Sequence, residues 1–388
     1  MEERKKQRIV FLDMMRFIAL FQMIQGHTIY ALLDKDILKG DSPAIQFWTF
    51  LRGYTAPFFM VIAGAVFTFL LIQEKPLSGP NPRIKKGMLR VFTLFFWGYM
   101  LRFPIQLITR LHVSQKALEN ALAFDVLQLI GLGLLVVTLI FMFVGVKKTW
   151  LMVLYAGLFL LVAFASPHIA PINFHDDLPK FFSLWINDFP TLAGKSSPFP
   201  IFPWLAYILF GGFFGAWLSF QSKKDDFQRN IDVKLFVIAL FLYGLARFGD
   251  WFDVYQYGEL RYWGLNASDG TPLLGQSESL LFDRIAFVLF VGSICAFIAR
   301  FVKKLPRIMA QMSRNTLWLY VGHLILLYWI RPLFTHAKYS FPVTLICVLL
   351  MFGIMILQTI VIEKKQKAGT WKLFFTTTFN KPSQKIQS

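Results

Sequence analysis

The chain has 388 residues, 56% of them hydrophobic and only 16% charged, with a mean hydropathy of +0.53. That balance excludes an ordinary soluble domain, and continuous apolar runs of about twenty residues point to membrane-spanning helices rather than to the alternating strands of a β-barrel. The net charge of +18 would suit a nucleic-acid partner, but in a membrane protein the placement of the charge decides its meaning.

Ten apolar helices are predicted, at roughly 9–33, 45–73, 87–108, 124–145, 149–169, 200–220, 233–252, 280–300, 314–331 and 339–363. The basic start MEERKKQR precedes a run too long for a signal peptide, so it reads as an uncleaved first helix. Most of the 40 lysines and arginines fall in one set of segments: the N-terminus, the connections near 74–90, 146–148, 221–234 and 300–314, and the tail. This asymmetry predicts an even number of spans with both termini in the cytoplasm, and it accounts for the high pI without nucleic acid. The expected fold is an all-α polytopic bundle, one integral membrane domain over 1–388 with a cytoplasmic tail at about 364–388. The two longest loops, 170–199 and 253–279, are expected outside. Trp251, Tyr255, Tyr257, Tyr262 and Trp263 read as an interfacial aromatic belt or as a stacking surface for an acceptor. Cys295 and Cys347 lie in apolar runs and define no disulfide framework. The chain carries no Walker loop, GxGxxG, HExxH or CxxC motif, which leaves ATP coupling and the usual metal hydrolysis without support.

The first helix carries DMMRFIALFQMIQGH, residues 13–27. Arg16 and His27 are separated by about three turns plus 20°, and so share one face about 16 Å apart along the axis. Asp13, Arg16, Leu20, Met23 and His27 form a stripe that must face the bundle interior, because lipid cannot solvate it. Asp13 and Arg16 belong to the inner third and His27 to the outer third. The Asp13–Arg16 pair fits either a structural register or a functional role. His27 fits either an interhelical hydrogen bond or proton transfer.

Further polar side chains fall at the outer level. Arg52 is on the second helix, Arg102 near the end of the third, Gln128 near the outer end of the fourth, Arg247 with Asp250 on the seventh, and Asp283 with Arg284 at the start of the eighth. His323 is expected near mid-membrane. Helical arginines at one level suggest an anionic ligand or a shared charge network, while each lone residue also fits a satisfied interhelical hydrogen bond.

Arg16, ten intervening residues and His27 resemble the Arg-x10-His signature of the acyltransferase-3 membrane acyltransferases. RIVFLDMMRFIALFQMIQGH at 8–27 is similar to the opening of the heparan-alpha-glucosaminide N-acetyltransferase-like branch. APFFMVIAGAVF (56–67), DVLQLIGLGLL (125–135), FPIFPWLAYILFGGFFG (199–215) and RNTLWLYVGHLILL (314–327) follow in order over most of the chain. Phe17 departs from the branch, which usually has glycine there.

The resemblance implies transfer of an acyl group, commonly acetyl, from cytoplasmic acyl-CoA to a hydroxyl or amine of a glycan, lipid-linked or other acceptor across the membrane, without a metal. His27 would act as general base or carry the acyl group, Arg16 would hold the donor arm or the helix, and Asp13 would orient Arg16. Arg52 would stabilise an oxyanion on the thioester, and Gln128, Arg247, Arg284 and His323 are expected to bind donor or acceptor. A bacterial cytoplasmic membrane, modification of a cell-envelope glycan and a possible homo-oligomer complete the expectation. The competing reading is a transporter or lipid-handling protein, since intramembrane Asp, Arg and His also mark substrate pathways. Against it, the chain has no repeated halves with matching broken helices. The glycines at 211, 212 and 215 suit close helix packing better.

Overall fold

A computed structural model describes residues 9–40, 42–74, 81–103, 115–170, 172–174, 176–187, 197–222, 227–257, 278–302, 304–330 and 339–368. Apart from an isolated bridge between Leu33 and Tyr339, the regular structure among them is helical. The helices are α1 (Val10–Leu32), α2 (Lys35–Leu38), α3 (Pro43–Gly53), α4 (Thr55–Gln73), α5 (Pro82–Met100), α6 (Gln115–Leu122), α7 (Val126–Val144), α8 (Lys148–Ile169), α9 (Lys180–Ile186), α10 (Ile201–Gln221), α11 (Phe227–Tyr257), α12 (Glu278–Phe301), α13 (Arg307–Arg314), α14 (Thr316–Ile330) and α15 (Phe341–Lys367).

Each of the ten expected spans is mainly helical over its described part, but 45–73 is two helices, Pro43–Gly53 and Thr55–Gln73, and 87–108 leaves the helix after Met100. Six segments are long and apolar enough to cross a membrane: Pro43–Gln73, Val126–Val144, Lys148–Ile169, Ile201–Gln221, Glu278–Phe301 and Phe341–Lys367. Helix starts follow local chemistry. Pro43 and Pro82 occupy first-turn positions, where a missing N–H costs nothing, and the Asn81 and Asp125 side chains accept the orphan amides of Arg83 and Val126.

Helices α4 and α10 form the tightest seam. A Cβ at Gly64 would run into the Ile208 carbonyl, and one at Gly211 or Gly215 into the carbonyls of Val61 or Ala65. These glycines therefore serve close backbone approach, the packing reading of the GGFFG run. Helix α1 sits inside the bundle against α4, α12, α13, α14 and α15, with Met15, Leu20 and Ile24 fully buried. The opposite kind of surface lies on α11 and α15, where Leu240, Phe241, Phe248, Leu349, Leu350 and Leu357 are exposed. Such a belt of large apolar side chains suits lipid.

The Ser313 hydroxyl donates to the Asp13 carbonyl at 3.0 Å, and the Arg314 and Asn315 side chains donate to the Glu363 carboxylate at 3.1 and 3.0 Å. The start of α1 and the end of α15 therefore share one end of the bundle, the one that the charge asymmetry predicts to be inner, which makes the opposite end the outer one. At the outer end the Asp34 amide donates to the Tyr339 carbonyl at 3.2 Å.

Two expected loops are partly helical. Helix α11 runs on to Tyr257, because the DVYQY stretch contains neither glycine nor proline. Trp251 and Tyr255 thus stack on a helix face, centroids 5.4 Å apart, while Tyr262 and Trp263 lie outside the described residues. Within 170–199, α9 places the Trp185 ring 4.5 Å from that of Phe124. Asn187 anchors the segment by donating to the carbonyls of Ile169 and Ile172 at 2.9 and 2.8 Å. Helix α15 reaches Lys367, so the expected tail begins as helix.

Candidate functional site

The predicted stripe on α1 faces inward. Leu20 and Met23 are buried, and Asp13, Arg16 and His27 are half-buried. Arg16 pairs with Asp13 at 3.7 Å, one turn apart as the spacing requires.

At the other end of the stripe, His27 meets His323 of α14. His27 Nδ1 lies 2.9 Å from His323 Nε2, and the rings are nearly parallel at 9°. His323 Nδ1 lies 2.9 Å from the Leu319 carbonyl. A carbonyl only accepts, so His323 Nδ1 carries hydrogen and donates to it. In neutral His323 the Nε2 atom is then an acceptor, and His27 Nδ1 must donate to it. The hydrogen-bond chain leaves the free lone pair of His27 on Nε2. Relative to the sequence expectation, His323 is brought to His27 itself.

Tyr320, one turn before His323 on α14, sets its ring edge against both histidines, at 6.3 Å from His27 and 5.5 Å from His323. It also stacks with Phe59 of α4 at 6.3 Å. Phe59 lines one cavity and Tyr320 another.

The inner cavity is lined by Arg16, Phe59, Arg83, Lys86 and Arg90, with Gly87 opening its wall on α5. Arg83, Lys86 and Arg90 are spaced three and four residues apart, which puts them on one helix face. Arg83 is paired with Glu74 at 3.0 Å. Among the described residues, Lys86 and Arg90 are paired with no carboxylate, and Arg90 lies within electrostatic reach of Arg16. Four cations with two carboxylates form a site poised for a polyanion.

The outer cavity, about 530 Å³, is lined by Trp97, Gly98, Arg102, Asp125, Gln128 and Tyr320. Arg102 donates to Asp125 through Nη2 at 2.7 Å and Nε at 2.8 Å, and the second carboxylate oxygen of Asp125 caps α7 by accepting from the Val126 amide at 2.7 Å. Gln128 is fully buried on the same helix.

The remaining expected site residues sit elsewhere. Arg52 is exposed and lies over the rings of Tyr30 at 4.2 Å and Trp48 at 5.6 Å, within electrostatic reach of His27. Trp48 in turn donates to Gln25 of α1 at 2.9 Å. Arg247 belongs to a second cluster, bonded to Asp250 and Asp283 at 3.0 Å each, with the Tyr54 hydroxyl donating to Asp283 at 2.7 Å. Arg284 is buried beneath Trp204, 5.7 Å from its ring centroid. Arg102 and Arg247 are thus carboxylate-paired at their own places rather than gathered around one anion.

Sequence reasoning missed Tyr320, Phe59 and the basic face of α5. The spacing of Arg83, Lys86 and Arg90 carried a readable signal. The two aromatic residues, in apolar runs rich in rings, carried none.

Comparison with curated proteins gives no match. The family described as "Heparan-alpha-glucosaminide N-acetyltransferase, catalytic" matches residues 8–247, which include α1 with Arg16 and His27, the basic face of α5, and Gln128. The chain belongs to the heparan-alpha-glucosaminide N-acetyltransferase catalytic family and is an integral membrane, acetyl-CoA-dependent acyltransferase.

Proposed function

We propose that the protein moves an acetyl group from acetyl-CoA held at the inner cavity to a hydroxyl or amine of a glycan or similar acceptor in the outer cavity, with His27 at the crossing. The observation that carries this reading is the His27–His323 contact, which leaves a lone pair on His27 Nε2, with the ring edge of Tyr320 set against the same histidine. Arg16, Arg83, Lys86 and Arg90 hold the donor phosphates by charge. Asp13 keeps Arg16 on the inner face of α1.

His27 Nε2 acts in one of two ways. As a base it takes the proton of the acceptor O–H or N–H as that atom attacks the thioester carbon, then passes the proton to the departing thiolate. As a nucleophile it forms the new bond to the acyl carbon itself and later yields it to the acceptor. In both, one C–S bond breaks, one C–O or C–N bond forms, and one proton moves from acceptor to sulfur. His323 fixes which nitrogen acts. Arg52, near His27 but turned to aromatic faces, supports charge at the outer mouth.

The basic inner end corresponds to the cytoplasm and the ten apolar runs of the sequence to ten spans, by the charge asymmetry. A bacterial cytoplasmic membrane and an envelope glycan fit this arrangement. The test is vectorial transfer in sealed vesicles of both orientations, with labelled acetyl-CoA outside and a mixture of amino and neutral sugars loaded within. Label on the enclosed sugar in inverted vesicles alone supports the reading. Equal label in both orientations, or none in either, contradicts it.

A further inference from the structure

Gln128 is the third residue of α7, fully buried, and neither its amide nitrogen nor its amide oxygen has a hydrogen-bond partner among the described residues. A buried primary amide with both ends unmet is costly, because it has given up water on two donors and an acceptor. Its place is nonetheless built. Gly98 of α5 faces it, and a Cβ there would collide with the Gln128 amide oxygen, so the facing helix makes room for this side chain. The Gln128 side chain is part of the outer cavity's lining with its amide atoms covered, as is Trp97, whose covered indole N–H is also without a partner among the described residues.

The charged groups of that cavity are paired. Arg102 and Asp125 neutralise each other, and Asp125 caps α7 with its remaining oxygen. The wall therefore offers no net charge. Its neutral polar groups are the Gln128 amide, the Trp97 indole N–H and the hydroxyls of Tyr320 and Tyr328. A carboxylate or phosphate would satisfy the donors but leave the amide oxygen bare and face Asp125. A group that both donates and accepts, such as a hydroxyl, satisfies Gln128 at both ends. The rings of Trp97 and Tyr320 supply flat apolar faces beside it.

We infer that Gln128 is a specificity-determining residue of the outer cavity, gripping a neutral hydroxyl of the acceptor next to the group that reacts at His27. The inference rests on the proposed two-cavity reading and deepens it. Tyr320 connects the two places, since it lines this cavity and touches His27. An acceptor whose neighbouring hydroxyl is removed loses its hold on Gln128. An acceptor bearing a carboxylate near that position loses its water there without meeting a net positive charge, and leaves the amide oxygen unmet.

The test uses the full-length protein in detergent or nanodiscs, with acetyl-CoA as donor and glucosamine, 3-deoxyglucosamine, glucose and glucuronate as probes. Equilibrium binding of each sugar, transfer kinetics, and acetyl-CoA binding are measured for wild type and Gln128→Leu. Wild type is expected to bind glucosamine or glucose and to discriminate against glucuronate. Gln128→Leu should weaken sugar binding or raise the sugar KM about tenfold or more, with acetyl-CoA affinity unchanged. Because the amide has no partner among the described residues, Gln128→Leu without ligand should unfold at the same or a higher temperature than wild type. Unchanged sugar binding in the variant, a lowered unfolding temperature, or no sugar bound by wild type would each overturn the inference. Loss of acetyl-CoA binding in wild type would instead strike the two-cavity reading on which it rests.

Discussion

His27 and His323 lie 296 residues apart in sequence and share a hydrogen bond of 2.9 Å between Nδ1 and Nε2. The Leu319 carbonyl, holding the far nitrogen of His323, sets the tautomers of both rings. A turn of α14 thereby decides which nitrogen of His27 keeps its lone pair.

That relationship predicts the behaviour of His323→Phe. The His27 N–H loses its acceptor in a buried place, at a cost of about 1–3 kcal/mol, and the tautomer of His27 is no longer fixed. The expected result is a fall of about 10- to 100-fold in kcat, in line with a partial loss of acid–base catalysis, with the acetyl-CoA KM unchanged. Steady-state kinetics on membranes with matched amounts of folded protein measures it. A raised KM with unchanged kcat would place His323 in binding instead.

The inner cavity gives a separate prediction. Arg90→Ala removes one of the cations facing the donor, so the acetyl-CoA KM should rise about tenfold, the size of one charge-assisted contact. Arg90→Lys should recover part of the loss. The wild-type KM should rise with salt, and that slope should be shallower in Arg90→Ala. A titration at several ionic strengths checks both points.

Phe59, which lines the inner cavity, stacks on Tyr320, which lines the outer one, and in the proposed reading the two rings close the way between them. Phe59→Leu keeps the apolar packing but opens the partition, and water then reaches the reacting carbonyl. Hydrolysis of acetyl-CoA without acceptor should rise several-fold while the coupled yield falls. Thiol release assayed with and without sugar distinguishes this from a simple loss of activity.

The α4–α10 seam predicts a stability effect without a catalytic cause. Gly215→Val sets a branched side chain against the Ala65 carbonyl. Pushing the helices apart should cost about 1–3 kcal/mol, the usual price of overpacking. Thermal unfolding in detergent should shift down, with the acetyl-CoA affinity of the surviving folded fraction unchanged.

Much of the bundle could be read directly. Continuous apolar runs marked the helices, and the three–four spacing of Asp13, Arg16, Leu20, Met23 and His27 marked the inward face of α1 before any packing was known. Helix lengths at the outer end were less legible. Helix α11 continues through DVYQY because nothing there stops it, and α9 is held by Trp185 and Asn187, whose partners lie outside the segment. The site was legible only in part. His27 and Arg16 stood out as costly groups in an apolar helix, but the partner of His27 is set by tertiary packing. Arg247 and Arg102 looked like a shared ring of charge until Asp283 and Asp125 were found beside them. Gln128 was visible as a polar residue in an apolar run, and its unmet hydrogen bonds emerged only from the fold.

The central claim is that the Nε2 lone pair of His27 performs the transfer and is not needed to hold the donor. Single-turnover transfer of label from acetyl-CoA to glucosamine, compared between wild type and His27→Ala at matched folded protein, tests it most directly when acetyl-CoA binding is measured on the same samples. The account predicts unchanged acetyl-CoA binding and transfer slowed by at least about 10²-fold, the scale of a lost general base. A His27→Ala protein that transfers acetyl at the wild-type rate would contradict it.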